Sequence, residues 1–305
     1  MNALTIREKL SGVFAPIVTP FQEGGDIDFE ALKRNVRRMG QTPLRGYFVL
    51  GTNGEFRSLS YEEKIDVVKA VLSSRSSEVV IAGASCESTV ESIKLARELS
   101  RLGVDFISLM PPSFFAKRMN DETLFSYFSE VAESVDTPVL LYNNPSVANN
   151  VCLSPTLISR VSKHPRIFGV KDSSKGNYDS YIVASQGENF WVLAGSADFF
   201  FPAMLLGAVG GVLSLANVFP DICCRLFSLA AEGNLEQGLQ FHRKIVKLNS
   251  LVSGKFGVSG VKAAMNLFGF EGKFPRKPLV GLNTGQREEL EKEVKKVLEE
   301  LERML

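Results

Sequence analysis

Short apolar runs alternate with amphipathic segments along this 305-residue chain. The runs begin near residues 14 (FAPIV), 46 (GYFVLG), 78 (EVVIAG), 105 (DFISLM), 138 (PVLLYN), 167 (IFGVK), 190 (FWVLAG) and 211 (GVLSLA). They are rich in Val, Ile, Leu and Phe and apolar on both faces, as strands of a parallel sheet covered by helices must be. Between them, DFEALKRNVRRMG, SYEEKIDVVKAVLSS, STVESIKLARELSRLG and DETLFSYFSEVAESV place apolar residues at three- and four-residue spacing behind Ser, Asp or Asn. That period and those starts predict helices. Regular alternation of strand and helix predicts an α/β fold, a (β/α)8 TIM barrel. A doubly wound open sheet is the alternative, but its GxGxxG mark is missing where the first strand runs into VTPFQEGGD.

After the eighth run the chain continues through PDICCRLFSLAAEG, NLEQGLQFHRKIVKLNSLV, VSGVKAAMNLFG and REELEKEVKKVLEELERML, all helical in period. These segments predict a C-terminal helical subdomain at 226–305, joined without a Pro/Gly/Ser linker to a barrel at 1–225 that carries the active site. The last of them aligns Leu290, Val294, Val297, Leu301 and Met304 or Leu305 at helical spacing, the pattern of a surface helix with one apolar stripe.

Charge narrows the choice of partner. The 35 basic and 34 acidic residues nearly cancel, so nothing favours nucleic acid or an anionic membrane, and a small molecule becomes the expected partner. Cys86, Cys152, Cys223 and Cys224 form no CxxC pair and read as buried apolar residues rather than a disulfide framework. The N-terminus MNALTIREKL lacks an apolar core of signal-peptide length, and no run approaches a membrane span, which points to the cytoplasm.

Active sites of such barrels sit at the carboxyl ends of the strands. Two strands end in chemistry: the fifth, PVLLYN, at Tyr142 and the sixth, IFGVK, at Lys171. Alternation puts Lys171 on one face and Asp172 on the other. An ordinary lysine, with a pKa of about 10.4, is protonated at pH 7 and cannot attack a carbonyl; desolvation without a carboxylate neighbour lowers that pKa and frees the nucleophile. On pattern alone, Lys171 reads equally well as a strand-end lysine that snorkels to solvent, and Tyr142 as a core tyrosine. Together they offer what imine chemistry on a 2-oxo acid needs, a nucleophile and a nearby proton carrier. The nearest rival, Lys262, reads as a helix-surface residue. The turn GTNGE after the second strand leaves backbone N–H groups free to hold a carboxylate, although a plain strand-to-helix turn uses the same residues. A metal-dependent site would need clustered ligands, and neither His164 nor His242 lies in a ligand-like spacing.

GTNGE, YNNPS, GVKDSS and AGSADFFFPAMLLGAVGGVLSLANV together resemble the dihydrodipicolinate synthase and N-acetylneuraminate lyase family of Schiff-base-forming class I aldolases, over nearly the whole chain. SCEST, SKHPRIFGVKDS, LGAVGGVLSLANV and FGVSGVKAAMNLFGFEG are most similar to its 4-hydroxy-2-oxoglutarate aldolase branch. The resemblance implies Lys171 as the imine-forming lysine and Tyr142 as its phenolic partner. It also implies Thr52, Asn53, Gly195 and Leu213 as substrate-binding residues, with no metal and no cofactor, in a homotetramer built as a dimer of dimers. The implied activity is reversible cleavage of a 4-hydroxy-2-oxo acid to pyruvate and an aldehyde. The alternatives are a 2-keto-3-deoxy sugar acid aldolase, dihydrodipicolinate synthesis, or a catalytically impaired barrel that only binds 2-oxo acids. Three departures stand out. Val147 replaces the arginine that binds a second carboxylate in the synthases, Phe114 and Phe115 stand where a proton-relaying tyrosine is usual, and Asn53 replaces a second threonine. Lys117 or Arg118 could supply the missing positive charge, although both read more readily as solvated loop residues.

Overall fold

A computed structural model describes residues 3–174 and 176–304. Each apolar run forms a strand: β1 (Gly12–Ala15), β2 (Gly46–Val49), β3 (Val79–Gly83), β4 (Phe106–Leu109), β5 (Val139–Asn143), β6 (Ile167–Asp172), β7 (Trp191–Ala194) and β8 (Gly210–Val212). Each pairs in parallel with the next, and β8 closes onto β1. Nearly every strand residue is buried, because the barrel lumen is packed on one side of the sheet and helices cover the other.

The helices between the strands start where their polar first residues dictate. Asp28, Ser60, Ser88 and Asn120 cap the helices Phe29–Met39, Tyr61–Leu72, Thr89–Leu102 and Asp121–Glu133, each side chain accepting a backbone N–H of the first turn. Ser60 and Glu63 complete a reciprocal capping box. A helix the hydrophobic pattern did not announce, Ala3–Leu10, buries Ile6 and Leu10 ahead of β1.

One irregularity decides how the sheet presents its chemistry. Val139 pairs with Ile167, but Leu140 pairs with Gly169, so β6 carries one extra residue at Phe168. Beyond this bulge Tyr142 stands opposite Lys171 and Asn143 opposite Asp172. Without it, the register set at Val139 would bring Tyr142 opposite Val170, a residue of the other face. Only glycine fits at 169, since a Cβ there would lie 2.3 Å from the Trp191 carbonyl oxygen.

The helix Pro220–Ala231 runs through the boundary expected at 225 and packs on β1, so the additional helices begin at Leu235. They are Leu235–Asn249, Gly257–Leu267 and Thr284–Glu302. The last buries Leu290, Val294, Val297 and Leu301, and Met304 packs against the same core; Leu305 lies outside the described residues. All four cysteines are free, with Cys223 and Cys224 buried, but Cys86 is only half-buried and Cys152 is exposed, which corrects the expectation of four buried thiols. Among the described residues no helix is long and apolar enough to cross a membrane.

Candidate active site

The register beyond the bulge sets Lys171 and Tyr142 side by side at the carboxyl ends of β6 and β5. Lys171 is 4% exposed, and its Nζ lies 4.0 Å from the centroid of the Tyr142 ring and 4.5 Å from that of Phe48. Phe48 meets Tyr142 edge-on, with centroids 5.6 Å apart. Burial therefore lowers the Lys171 pKa below the usual lysine value, although the neighbouring phenol works against the shift. For Tyr142, burial is the largest influence and would raise the pKa, but the adjacent Lys171 charge and the hydrogen bonds to Thr52, Asn144 and Lys171 together outweigh it, and the phenol is lowered. Asp172 points away: Asn143 Nδ2 donates to it at 2.7 Å and Ser174 Oγ at 2.9 Å. The only carboxyl adjoining Lys171 in the chain is thus committed elsewhere, and burial raises its own pKa.

The turn at 51–55 comes to the same place. Leu50 and Glu55 both adopt left-handed φ, 58° and 53°, and bracket the turn. The N–H groups of Gly54 and Glu55 are spent inside it on the carbonyls of Gly51 and Thr52, at 3.1 and 3.0 Å. Those of Thr52 and Asn53 have no acceptor among the described residues. Thr52 Oγ1 shares a hydrogen bond with the Tyr142 hydroxyl at 3.2 Å, and Asn144 Nδ2 donates to the same hydroxyl at 3.0 Å. Asn53 Nδ2 donates to Ser214 Oγ at 2.8 Å, tying the turn to the loop after β8.

Thr52 and Asn53 open into a cavity of about 320 Å³ whose wall includes Val147 and Arg57. Lys117 and Arg118 are exposed on the loop after β4 and do not line it, and neither do Lys171 and Tyr142. Phe114 and Phe115 are exposed and pack edge-on against each other. Gly195 and Leu213 follow β7 and β8 at the same end of the barrel, but neither lines this cavity. The Gly195 N–H donates to the Asp172 carbonyl at 2.7 Å and the Leu213 N–H to the Phe14 carbonyl at 3.0 Å.

The model of the dihydrodipicolinate synthetase family matches residues 9–297. The chain belongs to that family. A 4-hydroxy-tetrahydrodipicolinate synthase of Archaeoglobus fulgidus is 33% identical to it over 293 residues, 95% of this chain and 98% of that one. A probable mitochondrial 4-hydroxy-2-oxoglutarate aldolase of Emericella nidulans is 29% identical over 306 residues, 98% of each. Among solved structures, the 4-hydroxy-tetrahydrodipicolinate synthase of Methylacidiphilum fumariolicum SolV superposes with a TM-score of 0.86 at 31% identity, covering 97% of this chain and 99% of that one. As a member of the dihydrodipicolinate synthetase family, the chain is a carbon-carbon lyase of the aldolase type.

Sequence reasoning went wrong at Lys262. It is 1% exposed, not a helix-surface residue, and its Nζ lies 2.5 Å from Glu55 Oε1 and 2.7 Å from each of the Thr19 and Phe274 carbonyls. The other Glu55 oxygen accepts the Arg276 N–H at 2.9 Å. In this family member the C-terminal helices thus clamp the Thr52–Asn53 turn from behind. A lysine flanked by Val261 and Ala263–Met265 on one short helix was the available signal, although Ser259 and Asn266, three residues before and four after it, give it a polar face in the sequence. Phe48, Asn144, Ser214 and Arg57 were also missed. Each lies next to a motif that was read, but none announces its direction without the fold.

Proposed function

We propose that the protein cleaves a 4-hydroxy-2-oxo acid of the 4-hydroxyoxoglutarate type to pyruvate and an aldehyde, reversibly, through an imine on Lys171. The observation that carries this reading is a lysine buried against the rings of Tyr142 and Phe48 with no carboxylate partner among the described residues, a setting that lowers its pKa. The free amine attacks the C2 carbonyl, and loss of water leaves a protonated imine. Its positive nitrogen draws in the electrons of the C3–C4 bond when the C4 hydroxyl gives up its proton, so that bond breaks and the aldehyde leaves. The resulting enamine takes a proton at C3, and water releases pyruvate and the amine. Tyr142 is positioned to carry those protons, with Thr52 as its hydrogen-bond partner, while the free N–H groups of Thr52 and Asn53 suit the C1 carboxylate.

Val147 argues against dihydrodipicolinate synthesis by the synthases' arrangement, because the semialdehyde's carboxylate would meet an isopropyl group where they place a bidentate arginine; the second carboxylate of a 4-hydroxyoxoglutarate would need a cation from the neighbouring loops instead. In this reading Gly195 and Leu213, just after β7 and β8, bind substrate together with Thr52 and Asn53. The reading includes a cytoplasmic homotetramer, which light scattering tests directly. The decisive experiment is borohydride reduction with pyruvate: mass mapping should find the adduct on Lys171, and label elsewhere or nowhere rejects the mechanism. A panel of 4-hydroxy-2-oxo acids and 2-keto-3-deoxy sugar acids then assigns the aldehyde half. Efficient condensation of pyruvate with aspartate semialdehyde, at kcat/KM near or above about 10⁴ M⁻¹s⁻¹, rejects the reading of Val147.

A further inference from the structure

Asn144 follows β5 directly, two residues after Tyr142, so alternation sends both side chains to one face while Asn143 between them turns to Asp172. The following Pro145 disfavours helical backbone here, and Asn144 keeps a non-helical φ of −148° and ψ of 82°. We infer that Asn144 is a positioning residue for the proton transfers of the imine: its amide fixes the Tyr142 oxygen as an acceptor and so directs the single phenolic proton to Thr52 and to the side of Lys171. The inference rests on the imine chemistry proposed for Lys171 and goes beyond it.

The first observation behind it is where the side chain goes. Asn144 stands at the N-terminal cap of the turn Pro145–Val147, where an asparagine ordinarily accepts a backbone N–H, yet its side chain caps nothing. Instead Nδ2 donates to the Tyr142 hydroxyl at 3.0 Å and Oδ1 accepts from Ser146 Oγ at 2.7 Å, so both ends of this buried amide are committed. The second is the bonding capacity of the phenol. Its oxygen carries one proton and two acceptor sites, and an amide N–H can only donate to it, so the proton has to point elsewhere. Thr52 Oγ1, at 3.2 Å, can accept that proton or donate its own. The third is what the neighbourhood lacks. Phe114 and Phe115 have no hydroxyl, and Asn53 is spent on Ser214 at 2.8 Å, so Thr52 and Asn144 are left to hold the phenol. Lys171 on β6 is the charged group facing it. Asp172 turns to Asn143 and Ser174, Glu55 turns to Lys262, and β4, paired to the other side of β5, is FISL and carries no ionisable residue. Burial disfavours the phenolate, and Lys171, Thr52 and Asn144 together reverse that preference.

The test uses the full chain with pyruvate alone and needs no aldehyde. In deuterium oxide the phenolate takes a C3 proton from the pyruvate imine, the electrons of that C–H bond flow to the imine nitrogen, and the enamine then takes a deuteron at C3. Proton NMR reads the exchange, and borohydride trapping on Lys171 reads the imine. Asn144→Leu, close to isosteric, should slow exchange about tenfold, the worth of a hydrogen bond to a charged oxygen, with the trapped fraction unchanged. The acid limb of exchange should move to higher pH, because the phenolate is less favoured. The acid limb of trapping, set by the Lys171 amine, should not rise, because a more neutral phenol holds the ammonium less. Asn144→Ala should act in the same direction, so that one poorly folded variant does not decide. In a Tyr142→Phe background, Asn144→Leu should cost less than about twofold. An equal loss with and without the phenol marks a merely structural role and overturns the inference. So do unchanged exchange in both Asn144 variants, exchange that falls only in proportion to trapping, an acid limb of exchange that stays in place, or a protein that traps pyruvate but exchanges nothing. Each of those results leaves the imine on Lys171 standing. No trapping on Lys171 in the unaltered protein brings down the aldolase mechanism and this inference together.

Discussion

Lys171 and Lys262 are both almost fully buried, 4% and 1% exposed, yet they stand in opposite electrostatic settings. Lys262 has an acceptor for each of its three N–H groups, and one is the Glu55 carboxylate. Burial lowers its pKa to about 8 even so, with Glu55 holding it up against the desolvation. Lys171 faces two aromatic rings, one of them the Tyr142 phenol, and the only acid next to it in sequence is bound to Asn143 and Ser174. One ammonium is therefore paired with a buried carboxylate, and the other has none beside it, which is the setting the proposed imine chemistry needs. Burial makes both lysines unusual; the partner distinguishes them.

The comparison can be broken by exchanging what each lysine supplies. Lys171→Met should abolish pyruvate trapping and lower kcat by at least about 10⁴, while thermal unfolding shows the melting temperature held or raised, because a buried amine without a carboxylate partner has been replaced by an apolar chain. Residual trapping at another lysine would break the contrast outright. Tyr142→Phe should lower kcat by about 10²–10⁴ with the fold intact. Because the phenol opposes the lowering of the Lys171 pKa, its loss should also move the acid limb of imine formation to lower pH. A loss of kcat below about fivefold would mean that protons travel another way.

Lys262→Met should destabilise the protein by about 3–5 kcal/mol in denaturant titrations, because Glu55 is left charged and buried without its partner. Lys262→Met/Glu55→Gln should recover part of that loss, which separates an unpaired charge from simple mispacking. The smallest effect is a pH slope. From pH 8 to 10.5 the unfolded chain keeps the Lys262 proton and the folded chain has released it, so this group makes stability rise with pH across that window. The slope should be shallower in the double variant, and an unchanged slope would remove Lys262 as its source.

The strands and most helices were legible because each obeys a local rule. Buried parallel strands are apolar on both faces, and Asp28, Ser60, Ser88 and Asn120 announce helix starts through hydrogen bonds made within one turn. Lys171 and Tyr142 were legible as a pair because both end strands that the pattern had already delimited. Lys262 was not, because nothing on its own helix records that Glu55, more than two hundred residues earlier, lies within reach.

By itself, the sequence determined the alternation of strand and helix and the two strand ends that carry an amine and a phenol, since each depends on neighbours a few residues away, whereas the closure of β8 onto β1 pairs residues about two hundred positions apart. Tertiary structure decided the rest. An extra residue at Phe168 brought Lys171 opposite Tyr142, and Glu55 was claimed by Lys262 rather than left to face the cavity. Those outcomes depend on register and on long-range burial, where shifting a strand by one residue reverses every side chain and where the free energy of a charge is set by groups distant in the chain.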